Sequence, residues 1–139
     1  MIVKVKLDSG AYMPIRAHDD DAGWDICAKS PFTVPAGGSG VHDTGVHMAI
    51  PTGYCGLLVS KSGLNVKNSL TGTGLIDAGY TGSIVVKLYN GDKGRDHEFR
   101  AGEKIIQIII LPVPKVELEL VSELDDTERG DKGFGSSGK

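Results

Sequence analysis

Gly74-Leu75-Ile76-Asp77-Ala78-Gly79-Tyr80-Thr81-Gly82 is the stretch around which the chain is organised, and it leads into an apolar run at residues 83–89. Its glycines allow backbone conformations that other residues rarely adopt, and they let a ligand approach the main chain closely. Asp77 follows two apolar residues, so we expect it where a strand turns, in a position suited to a general base. Tyr80 offers a flat face to a ring. The alternative is a plain β-hairpin, with Asp77 in an Asx turn and Tyr80 as packing.

The composition is that of one soluble globular domain with a modest core. The chain has 139 residues, of which 40% are hydrophobic and 24% charged. No apolar run reaches the length of a membrane span, and the alternating residues 1–7 indicate a strand rather than a signal peptide. The net charge of −3 provides no global basic field for nucleic acid. Any site for a polyanion must therefore be local.

Cysteine and histidine usage argues against a disulfide framework and against a histidine-built metal site. Cys27 and Cys55 are far apart and lie among apolar neighbours, which favours buried free thiols and a reducing, cytoplasmic setting. The four histidines show neither His-x-x-His nor His-Glu spacing.

Short β-type runs separated by turn signals predict an all-β sandwich or jelly roll with almost no helix. Residues 105–112 are β-branched and too few for a membrane helix, so we expect a fully buried strand. The only segment that suggests a helical turn is 64–70. The other expected strands are residues 2–7, 32–34, 41–50, 53–59 and 83–89, and residues 116–121 alternate again.

Two polar residues interrupt apolar runs and must find partners. Asp25 stands between Trp24 and Ile26, and its carboxylate requires a backbone amide, a Lys or Arg, or a hydrated metal. Gln107 interrupts the run at 105–112, and its amide must bond within the core, across a subunit contact or to a ligand.

Two further segments suit phosphate oxygens. Ser60-Lys61-Ser62-Gly63-Leu64 combines hydroxyls, a cation and a glycine, although its spacing is not that of a P-loop and a surface turn is the alternative. The glycine-rich tail, residues 125–139, cannot build a core and is expected to be mobile when free. Its Arg129, serines and glycine-flanked amides suit phosphate, and Phe134 suits a ring face.

Five segments, in their order along the chain, resemble the motifs of the trimeric dUTPase family. Each is weak alone, but together they are highly specific. They are Asp21-Ala22-Gly23-Trp24-Asp25-Ile26, Ser60-Lys61-Ser62-Gly63-Leu64, residues 74–90, Gly102-Glu103-Lys104-Ile105-Ile106-Gln107-Ile108, and residues 129–138.

The resemblance implies a β jelly-roll subunit in a homotrimer that hydrolyses dUTP to dUMP and pyrophosphate with Mg2+, which limits uracil in DNA and supplies dUMP for dTMP synthesis. It implies a core domain at residues 1–121 and a C-terminal arm at 122–139 that closes over a neighbour's site. Each site would take the first, second and fourth motifs from one chain, the third from another, and the arm from the last.

The resemblance also implies a role for each matched residue. Asp77 would orient and deprotonate the attacking water, and Asp25 would hold a water of the metal. The base and sugar would be bound by Gly74, Leu75, Ile76, Tyr80 and Phe134. The phosphates would be bound by Lys61, Ser62, Gly63, Gln107, Arg129, Gly135, Ser136 and Ser137.

The chain departs from the family pattern at three places. Lys61 stands where the second motif usually has Arg, which keeps the charge but loses the bidentate fork. Gly79 and Thr81 replace an Asp and an Arg often present in the third motif.

Two other functions are weighed against dUTP hydrolysis. A dCTP deaminase of the same fold usually needs a Glu in the third motif, but no Glu lies between Gly63 and Gly91. A catalytically weak trimeric binding or regulatory protein is the second alternative, and the presence of Asp25, Asp77, Gln107 and the full tail argues against it.

Overall fold

The computed structural model describes residues 1–133, 135 and 138. Within them it contains eleven short strands and one helix of seven residues. The elements are β1 Lys4–Leu7, β2 Trp24–Cys27, β3 Phe32–Val34, β4 Ser39–Asp43, β5 Val46–Ala49, β6 Tyr54–Val59, α1 Ser62–Asn68, β7 Leu70–Thr71, β8 Thr73–Ile76, β9 Val85–Asn90, β10 His97–Phe99 and β11 Lys104–Pro112. The expected all-β fold is confirmed.

Two antiparallel sheets enclose the core. One has four strands in the order β2-β11-β6-β8, and the other has three in the order β4-β9-β7. Every second residue of β9 is buried, as expected for a strand with one face on a core. Ile26, Leu58 and Ile106 from the first sheet share one buried cluster with Val86 and Leu88 from the second.

Two smaller ladders complete the body. β1 pairs with β5, and β3 pairs with β10. The loop between β9 and β10 is closed by the buried Asn90, whose Nδ2 donates to the carbonyls of Val34 and Arg95 at 3.2 and 2.8 Å. Its Oδ1 accepts the Asp92 amide at 2.9 Å. One side chain therefore satisfies two backbone groups of this loop and ties the loop to the end of β3.

The β-hairpin that the turn signals indicated at residues 74–89 is not formed. β8 pairs with β6, whereas β9 pairs with β4 and β7, so the two strands belong to different sheets. Residues 77–84 are therefore a crossover between sheets. Asp77 does follow the end of β8 directly, as predicted.

Three other predicted elements differ in extent. The strand expected at 41–50 is two strands, β4 and β5, because the chain turns at Thr44 and Gly45. The run at 105–112 is buried only in its first half, since Leu111 at its far end is 37% exposed. The helix begins at Ser62 rather than Leu64, so it includes part of the segment at residues 60–64 that was predicted to bind phosphate.

The C-terminal segment leaves the body after β11. The Val113 amide donates to the Gly53 carbonyl at 2.8 Å, and the residues from 114 to 132 are exposed. The alternation at 116–121 does not form a strand, and Leu118 and Leu120 are 98% and 100% exposed.

In the part of the chain that is described, no helix has the length and apolar character needed to cross a membrane.

We predict that Asn90→Ala lowers the free energy of unfolding by about 2 kcal/mol, because the buried carbonyl of Val34 loses its donor. Urea denaturation measures the change. Asn65→Ala is the matched control, since Asn65 is exposed and its Nδ2 lies 3.5 Å from the Leu70 carbonyl, at the limit of a hydrogen bond. An equal loss in the free energy of unfolding for the two substitutions would contradict the role of Asn90 in holding the loop between β9 and β10.

Candidate active site

A carboxylate held by two lysines joins the first, second and fourth motifs. Asp25 on β2 is 8% exposed, and its Oδ2 lies 2.8 Å from Lys104 Nζ on β11. Its Oδ1 accepts a hydrogen bond from Lys61 Nζ, at the start of α1. Of the partners left open by the sequence, the structure therefore selects lysine, and it uses two of them.

The two ammonium groups keep Asp25 ionised. Burial alone would raise the pKa of its carboxyl group, but the hydrogen bonds from Lys104 and Lys61 outweigh burial and hold the pKa below its ordinary value. The same contact raises the pKa of Lys104. The cluster carries more positive than negative charge, which suits a site for phosphate oxygens.

A β-bulge brings Lys104 and Gln107 to the same face of β11. The register with β2 shifts between Lys104 and Ile106, so that Lys104 lies opposite Cys27 and Gln107 lies opposite Asp25. Residues three apart on a regular strand point to opposite faces, and the one extra residue of a bulge cancels that difference. Lys104 therefore reaches Asp25, although sequence reasoning did not include it among the site residues.

Gln107 is half-buried, and its Nε2 donates to the Ser60 carbonyl at 3.1 Å. The Ser60 hydroxyl accepts the Gly72 amide at 2.9 Å, so the second motif is tied to β11 and to the residues before β8. A Cβ on Gly23 would lie 2.8 Å from Gln107 Oε1. The glycine of the first motif thus leaves the space that the Gln107 side chain occupies.

Ser62 and Gly63 are exposed in the first turn of α1, directly after Lys61. Lys61 makes no side-chain cap at this helix end, so the first amides are available to other acceptors. The structure therefore brings Lys61, Ser62 and Gly63 close to Gln107, which shares their assignment to phosphate. It also brings them close to Asp25, which was assigned to a water of the metal.

The third motif forms a separate open pocket of about 270 Å3, lined by Leu75, Ile76, Asp77, Tyr80, Ser83 and Val85. Asp77 is exposed at the end of β8, and Tyr80 is 46% exposed. Gly74 lies within β8, where a Cβ would meet Leu58 Cδ1 at 3.1 Å. An acid, an aromatic ring and free backbone groups thus converge on one pocket, which suits a small polar ring and a water.

The two groups of residues lie far apart within one chain. Asp25, Gln107, Val59 and Thr73 form a row across the four-stranded sheet, which spans about 14 Å over three strand spacings. Asp77 lies four residues beyond Thr73, which adds about 13 Å in the direction of the strand. With ideal sheet spacings, the Cα atoms of Asp25 and Asp77 are therefore about 20 Å apart. They cannot act on one phosphate group within a single chain.

Of the five arm residues assigned to the site, the structure describes two, Arg129 and Gly135. Arg129 is exposed, and its Nε donates to the Lys132 carbonyl at 3.0 Å. Gly135 is exposed with a φ of 98°. Phe134, Ser136 and Ser137, which the resemblance assigned to uracil and phosphate, fall outside the described residues.

Comparison with protein families and curated proteins gives a consistent result. A dUTPase family model matches residues 10–138. A deoxyuridine 5'-triphosphate nucleotidohydrolase of Corynebacterium glutamicum is 41% identical over 138 residues, which covers 97% of this chain and 93% of that protein. One of Leifsonia xyli is 40% identical over 129 residues, covering 91% and 85%.

Solved structures agree in fold over most of the chain. The Staphylococcus bacteriophage 80alpha dUTPase bound to dUPNHPP has a TM-score of 0.88 at 35% identity, with 99% of each chain covered. A dUTPase of phage phi11 of S. aureus, described with a structural Mg(II) ion, has a TM-score of 0.81 at 31% identity and covers 88% of this chain and 98% of that one.

We predict that Asp25→Asn lowers the free energy of unfolding at pH 7 by about 1–3 kcal/mol, because Lys61 and Lys104 lose a charged acceptor. A carboxyl group with a lowered pKa stabilises the folded state above its unfolded pKa of about 3.9. The difference between the native protein and the variant should therefore vanish as the pH falls through the lowered pKa.

Urea denaturation between pH 7 and pH 3 measures this difference. Asp19→Asn, at an exposed position, serves as the control and should change little. A difference for Asp25→Asn that is the same at every pH would contradict the ion cluster.

Proposed function

Because this chain belongs to the dUTPase family, we propose that it hydrolyses dUTP to dUMP and pyrophosphate with Asp77 as the catalytic base. The observation that carries this proposal is the pocket in which Asp77 and Tyr80 meet at the end of β8. An exposed carboxylate on a rigid strand end can hold a water by hydrogen bonding and accept its proton.

In the proposed reaction, a water held by Asp77 attacks the α-phosphorus. The bond from water oxygen to phosphorus forms, the bond to the bridging oxygen of pyrophosphate breaks, and the water proton passes to Asp77. A positioned base contributes about a hundred- to ten-thousand-fold to the rate. Stabilisation of the charge that develops on phosphate oxygens provides the remainder.

Phosphate binding is assigned to the cluster around Asp25. Lys61, Ser62, Gly63 and Gln107 would bind the α- and β-phosphates, and their proximity supports a shared ligand. Lys104 supports this assignment, because its ion pair with Asp25 can keep the carboxylate paired when Lys61 turns toward a phosphate. Arg129, Gly135, Ser136 and Ser137 of the arm would bind the γ-phosphate.

Mg2+ is the proposed cofactor, held mainly by the three phosphates and by water. Among the residues described, no group of three or more His, Cys, Asp or Glu side chains could hold a metal by itself. A carboxylate has about four acceptor positions, so Asp25 retains capacity for a metal-bound water beside its two lysines. These residues fit an ion that arrives with the nucleotide, and Mg2+ keeps much of its water in such sites. When bound, the ion would neutralise phosphate charge.

Recognition of base and sugar is assigned to the third motif. The backbone of Gly74, Leu75 and Ile76 would bind the edge of uracil, and the tightness of this segment would exclude a thymine methyl group. Tyr80 would pack on the deoxyribose and leave no room for a 2′-hydroxyl. Phe134 of the arm would lie on the uracil ring. The exposure of Leu75 and Tyr80 in one pocket supports these contacts.

A homotrimer with shared sites is the proposed assembly. The separation of about 20 Å between Asp25 and Asp77 supports it, since both must act near one triphosphate. The exposed C-terminal segment supports an arm that closes over a neighbour's site, and the two free thiols favour a reducing, cytoplasmic setting. The deaminase alternative receives no support, since the pocket lining contains Asp77 but no Glu.

Asp77→Asn should lower kcat for dUTP by about a hundred- to ten-thousand-fold, because an amide cannot accept the water proton. Affinity for dUTP should change little. Pyrophosphate release and equilibrium binding measure the two quantities, with Asp19→Asn as the control. Intact turnover in Asp77→Asn would exclude Asp77 as the base.

Deletion of residues 127–139 should leave the oligomer folded but nearly inactive, because the γ-phosphate and the uracil ring lose their proposed contacts. Light scattering checks the assembly, and pyrophosphate release checks the activity. Full activity of the shortened chain would contradict the role of the arm.

A further inference from the structure

Residues 77–84, which connect β8 with β9, are held in place mainly by contacts outside themselves. They carry Asp77 and Tyr80 and pass from one sheet to the other without joining a strand. The Tyr80 amide donates to the Asp77 carbonyl at 3.2 Å, which closes the turn at Gly79. The second half of the connection, residues 81–84, lies against the turn between β4 and β5. Three side chains of that turn region bond to it: His47 to the Thr81 carbonyl, Asp43 to the Ser83 hydroxyl, and Thr44 to the Ile84 carbonyl.

The contact between Asp43 and Ser83 is the one closest to the pocket. The Ser83 hydroxyl donates to Asp43 Oδ1, which also accepts the Gly45 amide at 2.9 Å. These two hydrogen bonds hold the pKa of Asp43 below its ordinary value. Asp43 is therefore an ionised acceptor that is fixed by its own turn, and it restrains the backbone at Ser83.

Tyr80 depends on that backbone. Its hydroxyl donates to the Ser83 carbonyl at 3.0 Å, so the ring folds back over Gly82. A Cβ on Gly82 would lie 2.4 Å from the Tyr80 hydroxyl oxygen and 2.5 Å from the Cζ atom. The φ of Gly82 is not in the left-handed region, so the need for glycine here is steric rather than conformational.

We propose that Asp43, Ser83 and Gly82 are positioning residues that fix the ring of Tyr80 and thereby set the discrimination between dUTP and UTP. The inference rests on the proposed contact between Tyr80 and the sugar. Asp43 restrains Ser83, the Ser83 carbonyl holds the Tyr80 hydroxyl, and Gly82 leaves the space that the ring needs. A ring released from this position leaves room for a 2′-hydroxyl.

The test compares substitutions at each step of this path. Ser83→Ala removes the side-chain contact, and Asp43→Asn leaves a neutral acceptor in place of the charged one. Tyr80→Phe removes the hydroxyl, and Gly82→Ala displaces the ring. Ser83→Thr retains a hydroxyl and should restore the native behaviour. Tyr80→Ala marks the full loss of the ring, and Ser9→Ala, at an exposed position outside the site, is the control. For each protein, kcat and KM are measured with dUTP and with UTP, and the free energy of unfolding by urea.

Ser83→Ala and Tyr80→Phe should lower the ratio of kcat/KM for dUTP to that for UTP by about threefold to tenfold, the effect of losing one hydrogen bond. Asp43→Asn should lower this ratio by less, because its amide oxygen still accepts a hydrogen bond from the Ser83 hydroxyl. The loss should come mainly from a lower KM for UTP, with kcat for dUTP changed less than about twofold. Gly82→Ala should approach the ratio of Tyr80→Ala.

Two results would overturn the inference while leaving the sugar contact intact. The first is an unchanged ratio in Ser83→Ala, Asp43→Asn and Gly82→Ala when Tyr80→Ala lowers it. The second is an equal loss of kcat for both nucleotides together with a lower free energy of unfolding, which would indicate a structural role only. An unchanged ratio in Tyr80→Ala itself would refute the proposed sugar contact, and the inference with it.

Discussion

The ionised carboxylate of Asp25 is the constraint on which the site depends. A buried charge must be paired, and here the pairing uses lysines from two other parts of the chain, Lys61 before α1 and Lys104 on β11. The cluster therefore fixes three motifs relative to one another before any ligand binds. It also leaves positive charge beside Gln107 and the first amides of α1, where phosphate oxygens would bind.

The same sheet that assembles this cluster separates it from Asp77, the proposed catalytic base. β8 lies at the edge of the four-stranded sheet, and Asp77 follows its far end relative to the row that contains Asp25. No side chain spans a separation of about 20 Å. In the proposed mechanism, a triphosphate bound at the Asp25 cluster of one chain would need Asp77 from another, so assembly and catalysis would be linked. The exposed segment after Val113 would add a further part of the proposed site, outside the body of one chain.

Local patterns predicted the elements better than the connections between them. Alternation and turn residues predicted the all-β class and the position of Asp77 at the end of a strand, and both were found. The hairpin interpretation of residues 74–89 was wrong. Gly79 and Gly82 indicate that the chain turns, but they do not indicate which sheet it joins next. The break at Gly45 was missed although Asp43, Thr44 and Gly45 separate two β-type runs with turn residues.

For the site, the need of Asp25 for a partner could be predicted from its apolar neighbours, but the choice of two lysines could not. Lys104 reaches it only through a bulge, which has no signature in this sequence. Residues such as Asp43 and Ser83 were not expected near the pocket, because their contact joins segments forty residues apart.

The most direct test of shared sites is subunit mixing. Chains with Asp77→Asn are mixed in equal amounts with chains that carry both Lys61→Ala and Gln107→Ala, and the mixture is unfolded and refolded together. Each variant is expected to be inactive alone. If Asp77 and the phosphate cluster come from different chains, about a quarter of the sites in random trimers receive both intact parts, and activity returns. If one chain supplies both parts, no intact site can form, and a mixture as inactive as its components would contradict the account.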